Sequence, residues 1–456
     1  MFKKITILSL LMVFLVTSGF GCKSNNTDIK AVTTPVTLTY WRVFDGPDAF
    51  DEIIAKYKVL HPSVNVVYKK LRYSEYEAEL LNSLAEDRGP DIFSIQNTWM
   101  TKYQAKLAPM PDTITMVYPV TQGTIQKTVV YEPKTTKSLS LKELKDNFVD
   151  VVGSDVILSD GKIYGLPLSV DTLAMYYNKD LFNNAGLSQI PAYWNKEFLQ
   201  DVKKLTKLDS KKEITQAGVA LGDSKNINRF SDILSVLMMQ SGAVMSEAGK
   251  ILFNTPPNTS SNYYPGTDAL RFYADFADQT KESYSWNSTL PNSLEMFMNG
   301  NLAIMFSYDY DLETIKAQAP KLNFSVAKLP QIEGNPPTNI NIANYWVEVV
   351  SKKSKNTDVA WDFVQFMTKE EQAKVYLEKT KRPTALRSLI AQQKNEGDLG
   401  VFADQTLTAK SWYQGKNVQA AEDAISEMID AVLKTTSDKI QEVINTGAAK
   451  VQQTVN

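Results

Sequence analysis

Apolar residues along this chain follow two alternating rhythms. Val36-Thr37-Leu38-Thr39-Tyr40-Trp41 is rich in β-branched and aromatic residues and predicts a strand. Pro47 stands where a helix can begin, and Phe50, Ile53, Ile54 and Tyr57 recur at the spacing of one helical face. Val64, Val66 and Tyr68 alternate as a second strand. Ser74 with Glu77 predicts a capping box ahead of a helix carrying Leu80, Leu81 and Leu84. Gly89-Pro90-Asp91 punctuates the chain, and Ile92-Phe93-Ser94-Ile95 reads as a short buried strand. Strand, helix, strand, helix, strand at this spacing predicts an α/β layer on a parallel sheet. Ligands of such sheets bind beyond the carboxyl ends of the strands, so the loops beginning at Trp41 and Gln96 lie near any site.

Residues 108–160 carry Pro109, Pro111, Pro119 and Pro133 with few clear periods, and predict an irregular insertion. Further helices are predicted over 268–278, 357–367 and 369–378, and one long polar-amphipathic helix from about 420 to 450. A chain of 456 residues is long for one core, so two lobes or domains are expected.

The N-terminus has a different pattern. Lys3 and Lys4 precede a 12-residue apolar run, Ile5 to Val16, too short to span a bilayer as a mature helix. Residues 1–21 therefore read as a signal peptide. Small residues lead into Cys22, the only cysteine, and suggest a bacterial lipoprotein cleaved and lipid-modified there. Gly19 stands where an aliphatic residue is usual, and an ordinary signal peptide with an incidental cysteine is the alternative. Residues 22–35 then form a lipidated cysteine and flexible tether ending at Pro35. Either reading places the protein outside the cytoplasm. With the lipid, that means the extracellular face of the cytoplasmic membrane, or the periplasm where an outer membrane exists.

Composition narrows the function. Hydrophobic residues at 43% and charged residues at 22% describe an ordinary globular chain. Losing residues 1–21 leaves 47 basic against 51 acidic residues, which does not suggest a nucleic-acid partner. No second apolar stretch of 18 or more residues follows, so membrane contact is expected only through the N-terminal lipid. His61 is the sole histidine and precedes Pro62 in a loop, a structural position; with one cysteine, no zinc or copper site, cofactor or disulfide is expected.

Three separated segments carry a family resemblance. The first is the opening strand and helix, continuing through His61-Pro62-Ser63-Val64-Asn65-Val66 to Gly89-Pro90-Asp91-Ile92. The second is Gly161-Lys162-Ile163-Tyr164-Gly165-Leu166-Pro167, then Met175-Tyr176-Tyr177-Asn178-Lys179-Asp180-Leu181-Phe182 and Ala185-Gly186-Leu187, with Pro191, Trp194 and Phe198 after it. The third is Phe297-Met298-Asn299-Gly300-Asn301-Leu302-Ala303-Ile304-Met305, with Val326-Ala327-Lys328-Leu329-Pro330, Asn344-Tyr345-Trp346 and Ala360-Trp361-Asp362-Phe363-Val364. In this order they resemble the extracellular solute-binding proteins of ABC importers, the large family typified by maltose-binding protein. The resemblance runs from about 36 to 450.

It implies a two-lobed α/β clamshell of the type II periplasmic-binding-protein kind, each lobe a mainly parallel sheet flanked by helices. Lobe one is expected over 36–172 plus 322–372, and lobe two over 173–321 plus 373–456, with three hinge crossovers. Such a protein, a monomer and not an enzyme, captures a carbohydrate between the lobes by hinge closure and delivers it to the transmembrane subunits of an ABC permease.

A sugar site needs aromatic platforms beside carboxylates, amides and Arg. Trp41, Arg42, Phe44 and Asp45 follow the first strand, and Gln96 and Trp99 the third. Asp171 lies in an apolar run, where an unpaired carboxylate is expensive, at a family position that hydrogen-bonds sugar hydroxyls. Tyr308, Asp309 and Tyr310 follow a strand where the family has an aromatic platform, a role Tyr310 fits best. Tyr345, Trp346, Arg382, Trp412 and, in a polar loop, Trp286 complete the candidates. Trp41 can equally be core and Asp45 a turn residue; Trp194, Trp361, Met238 and Met239 are expected in the core. Few cations beyond Arg42 and Arg382 are expected in the cleft, against a multiply charged anion. A hydrolase using paired carboxylates (Asp45 with Asp171, or Asp309 with Asp311) and a sensor or adhesion lipoprotein are the competing functions.

Overall fold

The computed structural model describes residues 35–258, 262–333 and 339–455, so the signal peptide, Cys22 and most of the tether lie outside the described residues. The opening segment folds in the expected order. The strand Val36–Val43 pairs in parallel with Val64–Leu71 on one side and with Ile92–Gln96 on the other. Its alternation buries Leu38 and Tyr40 completely and turns Thr37 outward. The helix Asp51–Leu60 buries Ile53 and Tyr57 on one face, carries Asp51 and Glu52 in its first turn, and stops at His61, whose following proline disfavours helix.

The helix Tyr73–Ala85 departs from expectation at its start. Arg72 is the N-cap and makes no side-chain cap, so Ser74 lies inside the first turn. The chain's capping box is instead at Ser140 and Glu143, which bond reciprocally ahead of the helix Leu141–Asn147. That helix belongs to the supposed irregular insertion, which is in fact regular. Thr113–Gln122 and Thr128–Lys137 form a ten-pair antiparallel hairpin, followed by Leu141–Asn147 and Asp150–Val156. Its apolar signal is weak because only the base of the hairpin, at Ile114, Met116 and Val117, is buried.

The first sheet has the order Val64–Leu71, Val36–Val43, Ile92–Gln96, Trp346–Val350, Leu166–Pro167, with Trp346–Val350 antiparallel to its neighbour Ile92–Gln96. The second runs Phe324–Ala327, Ala174–Asn178, Leu302–Ser307, Ile214–Val219, Lys207–Leu208. Each sheet has its own hydrophobic core. The lobe boundaries differ from those expected. Phe324–Ala327 pairs with Ala174–Asn178 and so joins the second lobe, and the helices Glu370–Thr380 and Arg387–Gln393 bury Tyr376, Leu377 and Leu389 in the first. The reason is where the chain crosses. A three-stranded hinge sheet, Ala409–Lys410, Asn341–Asn344, Asp171–Thr172, joins the lobes, and the buried Asn341 amide exchanges hydrogen bonds with the backbone of Leu173 at 3.2 and 2.9 Å.

The predicted long C-terminal helix is two, Val418–Val432 and Ile440–Gln453, folded back on each other. The break falls at Thr435-Thr436-Ser437-Asp438, whose side chains compete for backbone groups. Trp194, Trp361, Met238 and Met239 are buried. His61 is buried too, beside Asp362 at 3.4 Å. Among the described residues, no helix is long and apolar enough to cross a membrane.

Candidate ligand-binding cleft

The carboxyl ends of the parallel strands in the first sheet converge on one edge. Val43, Leu71 and Gln96 end there, and the antiparallel Trp346, opposite Gln96, begins there. In the second sheet Ser307 pairs with Ala174, which sets Tyr308–Tyr310 beside Asp171 at the facing edge. Between the edges lies a cavity of about 800 Å³, within the ~300–1,000 Å³ span of ligand pockets.

Nine candidates line it: Arg42, Phe44, Asp45, Gln96, Asp171, Tyr310, Tyr345, Trp346 and Arg382. Phe44 stacks on Tyr73 at 5.4 Å, and Trp346 meets Phe44 edge-on at 5.8 Å, which makes a continuous aromatic wall on lobe one. Phe44 holds φ of 64°, a left-handed conformation that costs about 1 kcal/mol outside glycine, and its ring is half exposed. On lobe two, Tyr310 is 41% exposed and stacks on the buried Tyr308 at 6.0 Å. Two aromatic faces thus look into one cavity.

The polar groups are held by networks behind the walls. Arg42 is buried; it pairs with the fully buried Glu348, donates from Nε to Asp45 at 2.9 Å and from Nη2 to the Tyr376 hydroxyl at 2.7 Å. Tyr376 in turn donates to Asp45 at 3.0 Å. Asp45 is therefore clamped at the cavity wall rather than capping a helix, since the N-cap of the following turn is Gly46. Asp171 Oδ1 accepts the backbone N–H groups of Thr172 and Asp309 at 2.8 and 3.1 Å, and Arg382 donates to Asp309 at 3.3 Å. Burial and the neighbouring Asp309 push the Asp171 carboxyl well above the usual carboxylate range, and Arg382 opposes this.

Six candidates stand elsewhere. Asp309 is buried one layer behind Asp171. Tyr308 is buried and donates to Asp232 at 2.8 Å. Trp99 is buried against Tyr103 and backs Trp346 at 5.7 Å. Trp41 lies on the opposite side of its strand from Tyr40 and Arg42, under the Lys69 ammonium at 4.4 Å. Trp286 is fully buried, its indole donating to Asn226 at 2.8 Å, so its loop is packed rather than open. Trp412 lines a narrow crevice near the hinge strand Asn341–Asn344, which shares Gln96, Arg229 and Asn344 with the main cavity, and does not line the main cavity itself.

Sequence reading missed Lys70, Arg72, Tyr73, Arg229 and Tyr376, all lining the cavity. Lys70 stands in the last two residues of the second strand and Arg72 and Tyr73 follow it, so the rule that pointed to the loops after Trp41 and Gln96 reaches them as well. Arg229 follows a strand with no clear apolar alternation and holds φ of 59° ahead of the helix Phe230–Gln240; nothing in the local pattern marks it. The expectation of few cleft cations beyond Arg42 and Arg382 fails on these residues.

Two α/β lobes, three crossings and a polar-aromatic cleft between them define a solute-binding protein. The chain belongs to the bacterial extracellular solute-binding proteins, a family that matches residues 45–374. It is 23% identical to the maltodextrin-binding protein of Bacillus subtilis over 74% of this chain and 76% of that one. It is 25% identical to the sn-glycerol-3-phosphate-binding periplasmic protein of Salmonella typhimurium over 75% of this chain and 73% of that one. The crystal structure of a cyclic α-maltosyl-1,6-maltose binding protein from Arthrobacter globiformis superposes with a TM-score of 0.71 at 20% identity, covering 92% of this chain and 99% of the other.

Proposed function

We propose that this protein is the substrate-capturing component of an ABC importer and takes a carbohydrate, mono- or oligosaccharide, into the interlobe cavity. The observation that carries the reading is the pair of aromatic faces, Phe44 with Trp346 on one lobe and Tyr310 on the other, beside clamped hydrogen-bonding groups. Apolar faces of a sugar ring stack on such walls while Asp45, Gln96, Asp171 and Asn344 meet its hydroxyls. A ligand touching both lobes selects the closed state, which then docks on the permease. The named ligands of the relatives include a maltodextrin, which supports a sugar.

No bond of the ligand is made or broken in this reading, and the protein acts as a monomer tethered through a lipid on Cys22. A thermal-shift screen of the full-length protein in detergent against neutral and acidic saccharides tests the ligand class, since a ligand of the folded state alone raises the melting temperature. A non-saccharide solute that shifts it where no saccharide does refutes the reading. Glycan turnover that is lost on Asp171→Asn refutes it in favour of a hydrolase. Fatty-acid labelling, present in the native chain and lost in Cys22→Ala, tests the tether separately.

A further inference from the structure

The walls of the cleft oppose the charge of the chain. The chain has a formal net charge of −2, yet the charged side chains lining the cavity are five cations and two carboxylates. Three of the cations are answered by the protein: Arg42 by Glu348 and Asp45, Arg229 by Asp232, and Arg382 by Asp309. Both lining carboxylates are committed too, Asp45 to Arg42 and Tyr376, and Asp171 to two backbone N–H groups. Lys70 and Arg72 remain. Lys70 has no ion pair among the described residues, and Arg72 reaches only Glu75, at 3.8 Å with its own side chain 83% exposed.

These two cations stand where the strand Val64–Leu71 enters the cleft, next to Tyr73 and the aromatic wall, with Arg229 of the other lobe lining the same cavity. In the open state water solvates them. Closing the lobes strips that water, and an unanswered cation carried into a closed cleft costs desolvation that hydroxyls repay poorly. An anion on the ligand repays it with charge-assisted hydrogen bonds, in bidentate form from a guanidinium. The same positive field raises the capture rate of an anion at low ionic strength.

We infer that the cleft takes a saccharide carrying an anionic group, a carboxylate or a phosphate or sulfate ester, whose charge is met by Lys70 and Arg72 while its ring lies on the Phe44–Trp346 wall. The inference rests on the carbohydrate reading and deepens it.

Calorimetric titration of the full-length protein in detergent tests it with ligands matched in ring and differing in charge. The set is trigalacturonate against its methyl ester, glucose 6-phosphate and glucose 6-sulfate against glucose, and inorganic phosphate alone. The anionic member of a pair binds at least about tenfold more tightly, and the ratio shrinks as salt rises. In Lys70→Gln/Arg72→Gln the ratio falls to near one; both side chains are exposed, and far-ultraviolet circular dichroism verifies the fold. Which pair shows the preference identifies carboxylate or ester.

Equal or better binding of the neutral members overturns the inference and leaves the carbohydrate reading standing. A ratio that survives the double substitution overturns the assignment to Lys70 and Arg72. Inorganic phosphate binding as tightly as the sugar phosphate overturns both readings, because the ring then contributes nothing. Binding of no saccharide at all also removes both.

Discussion

Arg42→Met is expected to be among the most damaging single changes in lobe one, although Arg42 lies on the wall of a cavity. Glu348 is fully buried and accepts from the Tyr40 hydroxyl at 2.8 Å and from Ser94 at 2.5 Å, with Arg42 as its counter-charge. Removing the guanidinium leaves a fully buried carboxylate with two neutral donors and no counter-charge. Breaking one side of a buried ion pair costs ~3–5 kcal/mol, far more than the net worth of the pair, because the remaining charge stays desolvated. At ~2–4 °C per kcal/mol for a unit of this size, the melting temperature of lobe one falls by about 10 °C.

Burial already pushes the Glu348 carboxyl above its ordinary value, and losing Arg42, which opposes that push, sends it higher. A carboxyl raised in the folded state contributes stability that is present at low pH and lost as pH rises through its folded-state pKa. The defect of Arg42→Met therefore shrinks on acidification. Arg42→Met/Glu348→Gln, which removes the stranded charge, recovers most of the loss. Urea unfolding of the four proteins of this cycle at neutral and acidic pH gives the numbers. An Arg42→Met cost under about 1 kcal/mol, or a Glu348→Gln cost that simply adds to it, refutes the reasoning.

Two further outcomes follow from the site. Asp155 is buried near the hinge, accepting from Tyr345 at 2.6 Å, Ser411 at 2.8 Å and Asn97 at 3.2 Å, yet burial outweighs these bonds and pushes it up to about 6. Its contribution is complete below its unfolded value and is lost as pH rises through about 6, so the wild type forfeits up to about 3 kcal/mol from this group. The stability difference between wild type and Asp155→Asn, followed by urea unfolding from acidic to neutral pH, falls across that window; a flat difference contradicts the assignment. Phe44→Gly relieves a left-handed φ of 64° while removing a half-exposed ring, so stability stays within about 1 kcal/mol whereas saccharide affinity drops about tenfold by calorimetry. Unchanged affinity would show that the Phe44 face is not a platform.

Elements whose signal is local were legible in the chain. Val36–Val43, the helix Asp51–Leu60, Val64–Leu71 and Ile92–Gln96 each carry their own period, and each was read in place. The cavity-lining residues at the ends of those strands, Phe44, Asp45 and Gln96, were legible for the same reason. The hairpin Thr113–Lys137 was not, because most of it faces solvent and bears no buried stripe. Nor was the break between Val418–Val432 and Ile440–Gln453: an amphipathic period continues across a turn, and only packing of one helix on the other reveals the fold-back. Trp286 and Tyr308 looked like platforms because an aromatic beside polar residues is compatible with a cleft and with a core. Their hydrogen bonds to Asn226 and Asp232 decide for the core.

The order of residues by itself determined the α/β class, the family and the aromatic-polar chemistry of the loops at the strand ends, since these depend on period and short motif. Tertiary structure decided which lobe each late segment joins, which aromatics are covered, and how the charges are shared. Arg42, Arg229 and Arg382 are spent on Glu348, Asp232 and Asp309, partners 306, 3 and 73 residues away in the chain, while among the described residues Lys70 has no ion pair and Arg72 reaches only Glu75, at 3.8 Å. A cation looks the same in sequence whether or not the fold brings it a carboxylate. Only the folded chain separates the charges that are paired within the cleft from those left exposed on its wall.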